Sequence, residues 1–250
     1  MAAELKSTTH GRTMVLTISN PEHRNALAPE MYAAGVEALN AAETNPEVRS
    51  VVLTGEGAIF CAGGNLQRLQ ANRQQPPEVQ ARSIDGLHSW IEAIRTFPKP
   101  VIAAVEGPAA GAGFSLCLAS DFIVAAQDSF FIMAYVNVAL SPDGGATWQL
   151  ARMLPRQLAS ELLMMGERIP ATRLRELGVV NRIAAPGRAL DEALAMAEAL
   201  NAKAPNALAS MKELMNDAAD ASLSRQLAGE REHFVRNLHH ANAGIGIAAF

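Results

Sequence analysis

Apolar residues along this chain recur in two rhythms. TMVLTIS (13–19) alternates apolar and polar side chains and is rich in β-branched types, which predicts a strand. NPEHRNAL (20–27) breaks that rhythm at Asn20 and Pro21 and reads as a loop. Pro29 stands at a first helical position, and Met31, Ala34, Leu39 and Ala42 fall near one face of the helix it opens. SVVLTG (50–55) predicts a short buried strand closed by Gly55. A polar, Gln-rich stretch with prolines, 67–80, is expected to be mobile, and a helix is expected over 84–97, ending before Pro98. PVIAAVEG (100–107) and DFIVAA (121–126) predict two more strands, with a helix between them starting near Gly111. From about residue 144 the pattern is helical apart from VVNRIA (179–184), and 187–240 reads as Ala/Leu/Met-rich helices separated near Pro205. Short strands alternating with helices give an α/β fold class.

Hydrophobic residues make up 49% of 250, enough to fill the core of one large domain or of a domain with a helical appendage. The 21 Lys and Arg against 25 Asp and Glu leave a net charge of −4, which argues against a nucleic-acid partner. Cys61 and Cys117 lie far apart without metal-site spacing, so neither a disulfide scaffold nor a metal is expected. The opening MAAELKSTTHGRTMV holds no apolar core of signal-peptide length, and no apolar run is long enough to cross a bilayer. A cytoplasmic globular protein with no membrane partner is the expectation.

Two glycine-containing loops each follow a predicted strand. In FCAGGNL (60–66), Gly63 and Gly64 admit backbone conformations closed to other residues and let a ligand approach closely. Asn65 can cap the next helix, leaving nearby N–H groups free to face a cleft. EGPAAGAGFSLCLASD (106–121) repeats the plan: strand, Gly107, small residues, then Gly111-Ala112-Gly113 at a helix start whose dipole favours negative charge. Two such N–H groups converging on one oxygen make an oxyanion hole. Either loop alone also suits an ordinary tight turn. Neither carries GxGxxG spacing or a GK[ST] P-loop, which removes the common nucleotide fingerprints.

Taken in order, RNAL (24–27), FCAGGNL (60–66), KPVIAAVEG (99–107), GAGFSLCLASDFIVA (111–125), SPDGG (141–145) and ELGVVNRI (176–183) resemble the crotonase (enoyl-CoA hydratase/isomerase) superfamily over nearly the whole chain. The resemblance implies a crotonase-like ββα spiral core, residues 1–190, that binds acyl-CoA and carries the chemistry. It implies a helical C-terminal oligomerisation region, 191–250, with Leu194, Met196, Leu200, Leu208, Met211 and Leu214 as its apolar positions and a homotrimer or homohexamer as the assembly. Plain packing within one chain would leave the same pattern. By the same resemblance, Gly64 and Ala112 supply the N–H groups that bind the thioester oxygen of an acyl-CoA substrate. Arg24, Ala26, Ala62, Asn65 and Leu66 stand where the family lines the coenzyme A path, although Ala26 and Leu66 also suit a core and Arg24 a solvated surface. No cofactor is implied, because coenzyme A is part of the substrate. Relatives often continue into a basic tail, so a chain ending at Phe250 is expected to lack a phosphate contact from it.

A hydratase of this family resembles a two-carboxylate machine handling water by general acid–base chemistry. Here the first carboxylate position is Ser115 and the second, counted back from SPDGG, is Tyr135. Neither is a base at neutral pH. Asp143 in SPDGG falls where several isomerases of the superfamily place a single acid/base, and one carboxylate suffices for a 3-enoyl to 2-enoyl shift. Asp-Gly-Gly is also a good helix-cap sequence, and the two roles are compatible. Other candidates are weaker: His88 lies within a helical pattern, His23 precedes RNAL, and Cys61 suits a small buried position. AYVNVALSPDGGATW (134–148) most resembles the branch linked to phenylacetate and oxepin-CoA degradation. The competing functions are 2-enoyl-CoA hydration, a hydrolase or dehalogenase, and a catalytically silent acyl-CoA binding protein.

Overall fold

A computed structural model describes residues 3–249; Met1, Ala2 and Phe250 lie outside it. The chain runs β1 (Glu4–His10), β2 (Thr13–Ser19), α1 (Pro29–Thr44), β3 (Ser50–Gly55), α2 (Leu66–Asn72), α3 (Pro77–Thr96), β4 (Val101–Val105), β5 (Pro108–Ala110), α4 (Ala112–Ala119) and β6 (Phe122–Ala126). It continues through β7 (Phe130–Ile132), α5 (Ala146–Met153), α6 (Arg156–Met165), β8 (Ile169–Pro170), α7 (Ala171–Glu176), β9 (Arg182–Ala184) and four C-terminal helices. Those are α8 (Ala189–Asn201), α9 (Pro205–Ala218), α10 (Leu223–Leu238) and α11 (Ala241–Ala249).

The larger sheet has the order β1-β2-β3-β4-β6-β9, with β1 antiparallel to β2 and every other pair parallel. Its inner strands are nearly all apolar because both faces are covered. Met14, Leu16, Val51, Leu53, Val101 and Ala103 point into the main core with α1, α3 and α4. The alternate residues Val15, Val52, Ile102, Ala104 and Val124 meet Ala189, Ala193, Met196 and Ala197 of α8 on the other face. A smaller sheet, β5-β7-β8, stands beside the first.

The α/β class and the helical C-terminal region are as the resemblance implies. Two expectations need correction. Residues 67–80 are largely helical: α2 occupies the first part and α3 begins at Pro77, seven residues before the expected helix start, because Pro76 and Pro77 set its entrance. β1 was not foreseen; its burial pattern is mostly exposed, as an edge strand's polar sequence allows. Past α8, α9 is tethered to the core by Lys212, whose Nζ reaches Asp121 Oδ2 at 2.8 Å and the Ile94 carbonyl at 2.9 Å. Among its apolar positions Met211 is exposed, and so are Met215, Leu223, Leu227, Phe234 and Val235 along α9 and α10.

Candidate active site

The loop after β2 is built on two buried asparagines. Asn25 has a left-handed backbone, φ 57°, which its short polar side chain tolerates better than most. Its Oδ1 accepts from the Asn20 N–H at 3.0 Å, and its Nδ2 donates to the carbonyls of Glu56 (2.9 Å) and Ile59 (2.6 Å). Asn20 Nδ2 in turn donates to the Ala26 carbonyl at 2.8 Å. These bonds fix the loop to the end of β3 and present Arg24 and Ala26 beside the next segment, where the Ala62 N–H donates to the Arg24 carbonyl and the Leu27 N–H to that of Gly63. Asn25→Ala is expected to destabilise the protein by about 3 kcal/mol in denaturant unfolding, since it leaves one buried and two partly buried backbone groups without their partner; a loss under 1 kcal/mol would mean that water replaces it.

Two glycines shape the paired loops. Gly63 has φ 85°, and a Cβ there would lie 2.7 Å from the Ala110 carbonyl oxygen and 3.4 Å from the Ala112 nitrogen, so the loops touch at this point. Gly111 has φ 51° and hands the chain into α4 with the N–H of Ala112 at the first helical position. Cys61 N–H bonds the Pro108 carbonyl and Ala110 N–H bonds that of Cys61, which zips the loops together. Among the described residues, neither the Gly64 N–H nor the Ala112 N–H donates to a protein acceptor. Gly64 itself has no positive φ, and a Cβ there would meet only Leu69 Cδ1 at 3.7 Å, so the conformational freedom expected of both glycines is used only at Gly63. Asn65 caps α2, its Oδ1 accepting from the Arg68 N–H at 3.0 Å. Cys61 is fully buried, and burial pushes its thiol up to about 12, which leaves it no thiolate for chemistry.

Asp143 is half-buried, and its Oδ1 accepts a 2.5 Å bond from the Tyr135 hydroxyl. Tyr135 packs over Gly111, its ring 3.5 Å from where a Cβ would begin. Burial raises the Tyr135 hydroxyl above its ordinary value and the Asp143 charge adds to this, so the phenol stays a donor. Ser115 is buried beneath, its hydroxyl donating to the Asp143 carbonyl at 3.2 Å. Asp143 does not cap α5: the N-cap is Gly145 in a left-handed conformation, with no side-chain cap bond. The cap reading is thus corrected, because the bond to Tyr135 holds the carboxylate instead. Ser115, Tyr135 and Asp143 meet beside the start of α4 as one cluster.

A cleft of about 460 Å³ is lined by Arg24, Ala26, Ala62, Gly64, Asn65 and Leu66, six of the eight expected site residues. Leu66 is 60% exposed on its rim and is not core. His23 also lines this cleft, while His88 lies elsewhere on α3. Ala112 and Asp143 are not on its wall, which ends at Ala110, the residue before Gly111 and the Tyr135 contact. Sequence reasoning missed Arg168, stacked 4.4 Å over the Phe130 ring on the same cleft. Arg168 lies in a loop whose residues match no spacing rule, so only the fold brings it here.

Comparison with known proteins agrees with this geometry. The family model described as enoyl-CoA hydratase/isomerase matches residues 8–250. The crystal structure of an enoyl-CoA hydratase from Polaromonas sp. JS666 is 71% identical, with a TM-score of 0.98 over 99% of this chain and 96% of that one. The 1,2-epoxyphenylacetyl-CoA isomerase of Escherichia coli is 32% identical across 95% of this chain and 91% of its own. A carnitinyl-CoA dehydratase of Salmonella enteritidis is 32% identical across 100% and 96%. A two-loop site of this form, within a match that spans almost the entire sequence, makes this chain an enzyme of the enoyl-CoA hydratase/isomerase family in the crotonase superfamily.

Proposed function

We propose that the protein is a 3-enoyl-CoA to 2-enoyl-CoA isomerase. The Gly64 and Ala112 N–H groups hold the thioester carbonyl oxygen, and Asp143 is the single acid/base. Asp143 takes the proton from C2, the electron pair passes into a dienolate whose oxygen the two N–H groups stabilise, and the same carboxyl returns the proton at C4. No water is added and no oxidant is needed. Tyr135 is a positioning residue, occupying one oxygen of the carboxylate and leaving the other to face substrate. One observation carries the reading: the Asp143 carboxylate is hydrogen-bonded to Tyr135, whose ring packs over Gly111 just before the unused Ala112 N–H, while Ser115 and Tyr135 fill the two places where a hydratase would need acids.

Within the same proposal, coenzyme A lies along Arg24, Ala26, Ala62, Asn65 and Leu66, and no further cofactor takes part. The same reading takes 1–190 as the catalytic core and 191–250 as a C-terminal helical region, with every proposed site residue in the first and α8, from Ala189, packed on the core sheet. Self-association as a trimer or hexamer is supported by the exposed apolar side chains of α9 and α10. Two free buried cysteines suit a reducing cytoplasm, and no described helix is long and apolar enough to cross a membrane.

The test follows the ultraviolet absorbance of the conjugated thioester as purified protein meets a 3-enoyl-CoA. Absorbance should rise. No change would sink the isomerase reading, and loss of absorbance from a 2-enoyl-CoA would then assign hydration.

A further inference from the structure

Arg68 lies in the first turn of α2, four residues after Gly64. It is partly buried, it forms no ion pair among the described residues, and its Nε is buried with no hydrogen-bond partner. Nη2 stands 3.5 Å from the Tyr32 hydroxyl, at the outer limit of a hydrogen bond. Tyr32, 5% exposed on α1, packs against Gly86 of α3, where a Cβ would meet its ring at 3.3 Å. Burial raises the Tyr32 phenol, Arg68 opposes that rise, and the nearby Asp143 charge adds to it. Leu87, the residue after Gly86 on α3, lies 3.6 Å from where a Cβ of Gly144 would be, so Tyr32 and Arg68 stand near the segment that carries Asp143. Leu66 and Gln67 line the cleft assigned to coenzyme A, whereas Arg68 does not.

A buried donor without an acceptor is costly, and more so when it belongs to a charged group. A plain alkyl chain would dehydrate the guanidinium further and satisfy none of it. The planar edge formed by Nε and a terminal nitrogen matches the two oxygens of a carboxylate. We propose that Arg68, with Tyr32 beside it, receives a carboxylate carried on the acyl group, so that the preferred substrates are thioesters of dicarboxylic acids. This rests on the acyl-CoA reading given above, and it adds a specificity residue to it.

The experiment is calorimetric titration of free coenzyme A, hexanoyl-CoA and adipoyl-CoA, which share a handle and differ in the end of a six-carbon acyl chain. Each is titrated into the wild type, Arg68→Met and Arg68→Lys. The wild type should bind adipoyl-CoA at least about tenfold more tightly than hexanoyl-CoA, the scale of one charged hydrogen-bonded contact. Arg68→Met should erase that preference while leaving hexanoyl-CoA and coenzyme A within about twofold, and Arg68→Lys, which keeps the charge without the fork, should fall between. Arg68→Met keeps the aliphatic stem and removes a buried unsatisfied donor, so it should fold; should it fail, the lysine variant alone still decides. A wild type without preference, a preference that survives Arg68→Met, or an equal loss on all three ligands would overturn the proposal, the last by making Arg68 a contact to coenzyme A itself. None of these ligands can isomerise, so the result stands apart from the isomerase test; failure of the wild type to bind either thioester would sink the acyl-CoA reading and this proposal together.

Discussion

Asp143→Asn is expected to lower kcat for 3-enoyl-CoA isomerisation by roughly a thousandfold, within the range that one general acid–base group supplies. Asparagine keeps the shape of the side chain, and its amide oxygen still accepts from Tyr135, so the contact that holds residue 143 against Tyr135 persists. What is lost is basicity, and with it proton removal from C2. KM should change little, because the cleft proposed for coenzyme A is lined by residues from other segments. Steady-state rates from absorbance, with a thermal melt to confirm the fold, read both quantities. A variant that kept a tenth of the wild-type rate would place the base elsewhere.

Ala112→Pro tests the oxyanion hole at its helix end. Proline is tolerated at the first helical position, where the N–H has no partner within the helix. The Ser115 N–H bond to the Gly111 carbonyl, the first of α4, is untouched. Gly111, lacking a Cβ, escapes part of the restriction that a following proline imposes. The change therefore removes one donor with little disturbance to the helix, and kcat should fall by roughly two to three orders of magnitude, about 3 kcal/mol of transition-state stabilisation. An unchanged kcat in a folded variant would mean that the thioester oxygen is held by other groups.

The parts of this molecule legible in its sequence are those where local chemistry is decisive. Gly63 is needed because φ 85° and the Ala110 carbonyl exclude a side chain, and such a need leaves a mark in the chain. The buried strands are visible because both faces of the sheet are covered and polar residues are excluded from it. Asn65 announces its cap three residues ahead of the N–H it accepts. By contrast, β5, β7 and β8 have two or three residues each and no periodicity to detect. The bond between Tyr135 and Asp143 joins residues eight apart through an irregular segment, and no spacing rule distinguishes it from the helix cap that Asp-Gly-Gly also suggests. Arg68 falls in the polar stretch 67–80, which the sequence does not read as a helix; only the fold brings it to Tyr32 on α1.

The covering of the second sheet face by α8 has a consequence for how the chain comes to be made. Val15, Val52, Ile102, Ala104 and Val124 belong to strands finished by residue 126, yet the residues that bury them, Ala189 to Ala197, emerge from synthesis some sixty to seventy positions later. A nascent chain carrying the site's two loops complete still presents an apolar sheet to its surroundings, and such surfaces are what chaperones bind and what aggregates grow from. Slow or interrupted translation between those points is therefore the vulnerable interval in the life of this protein.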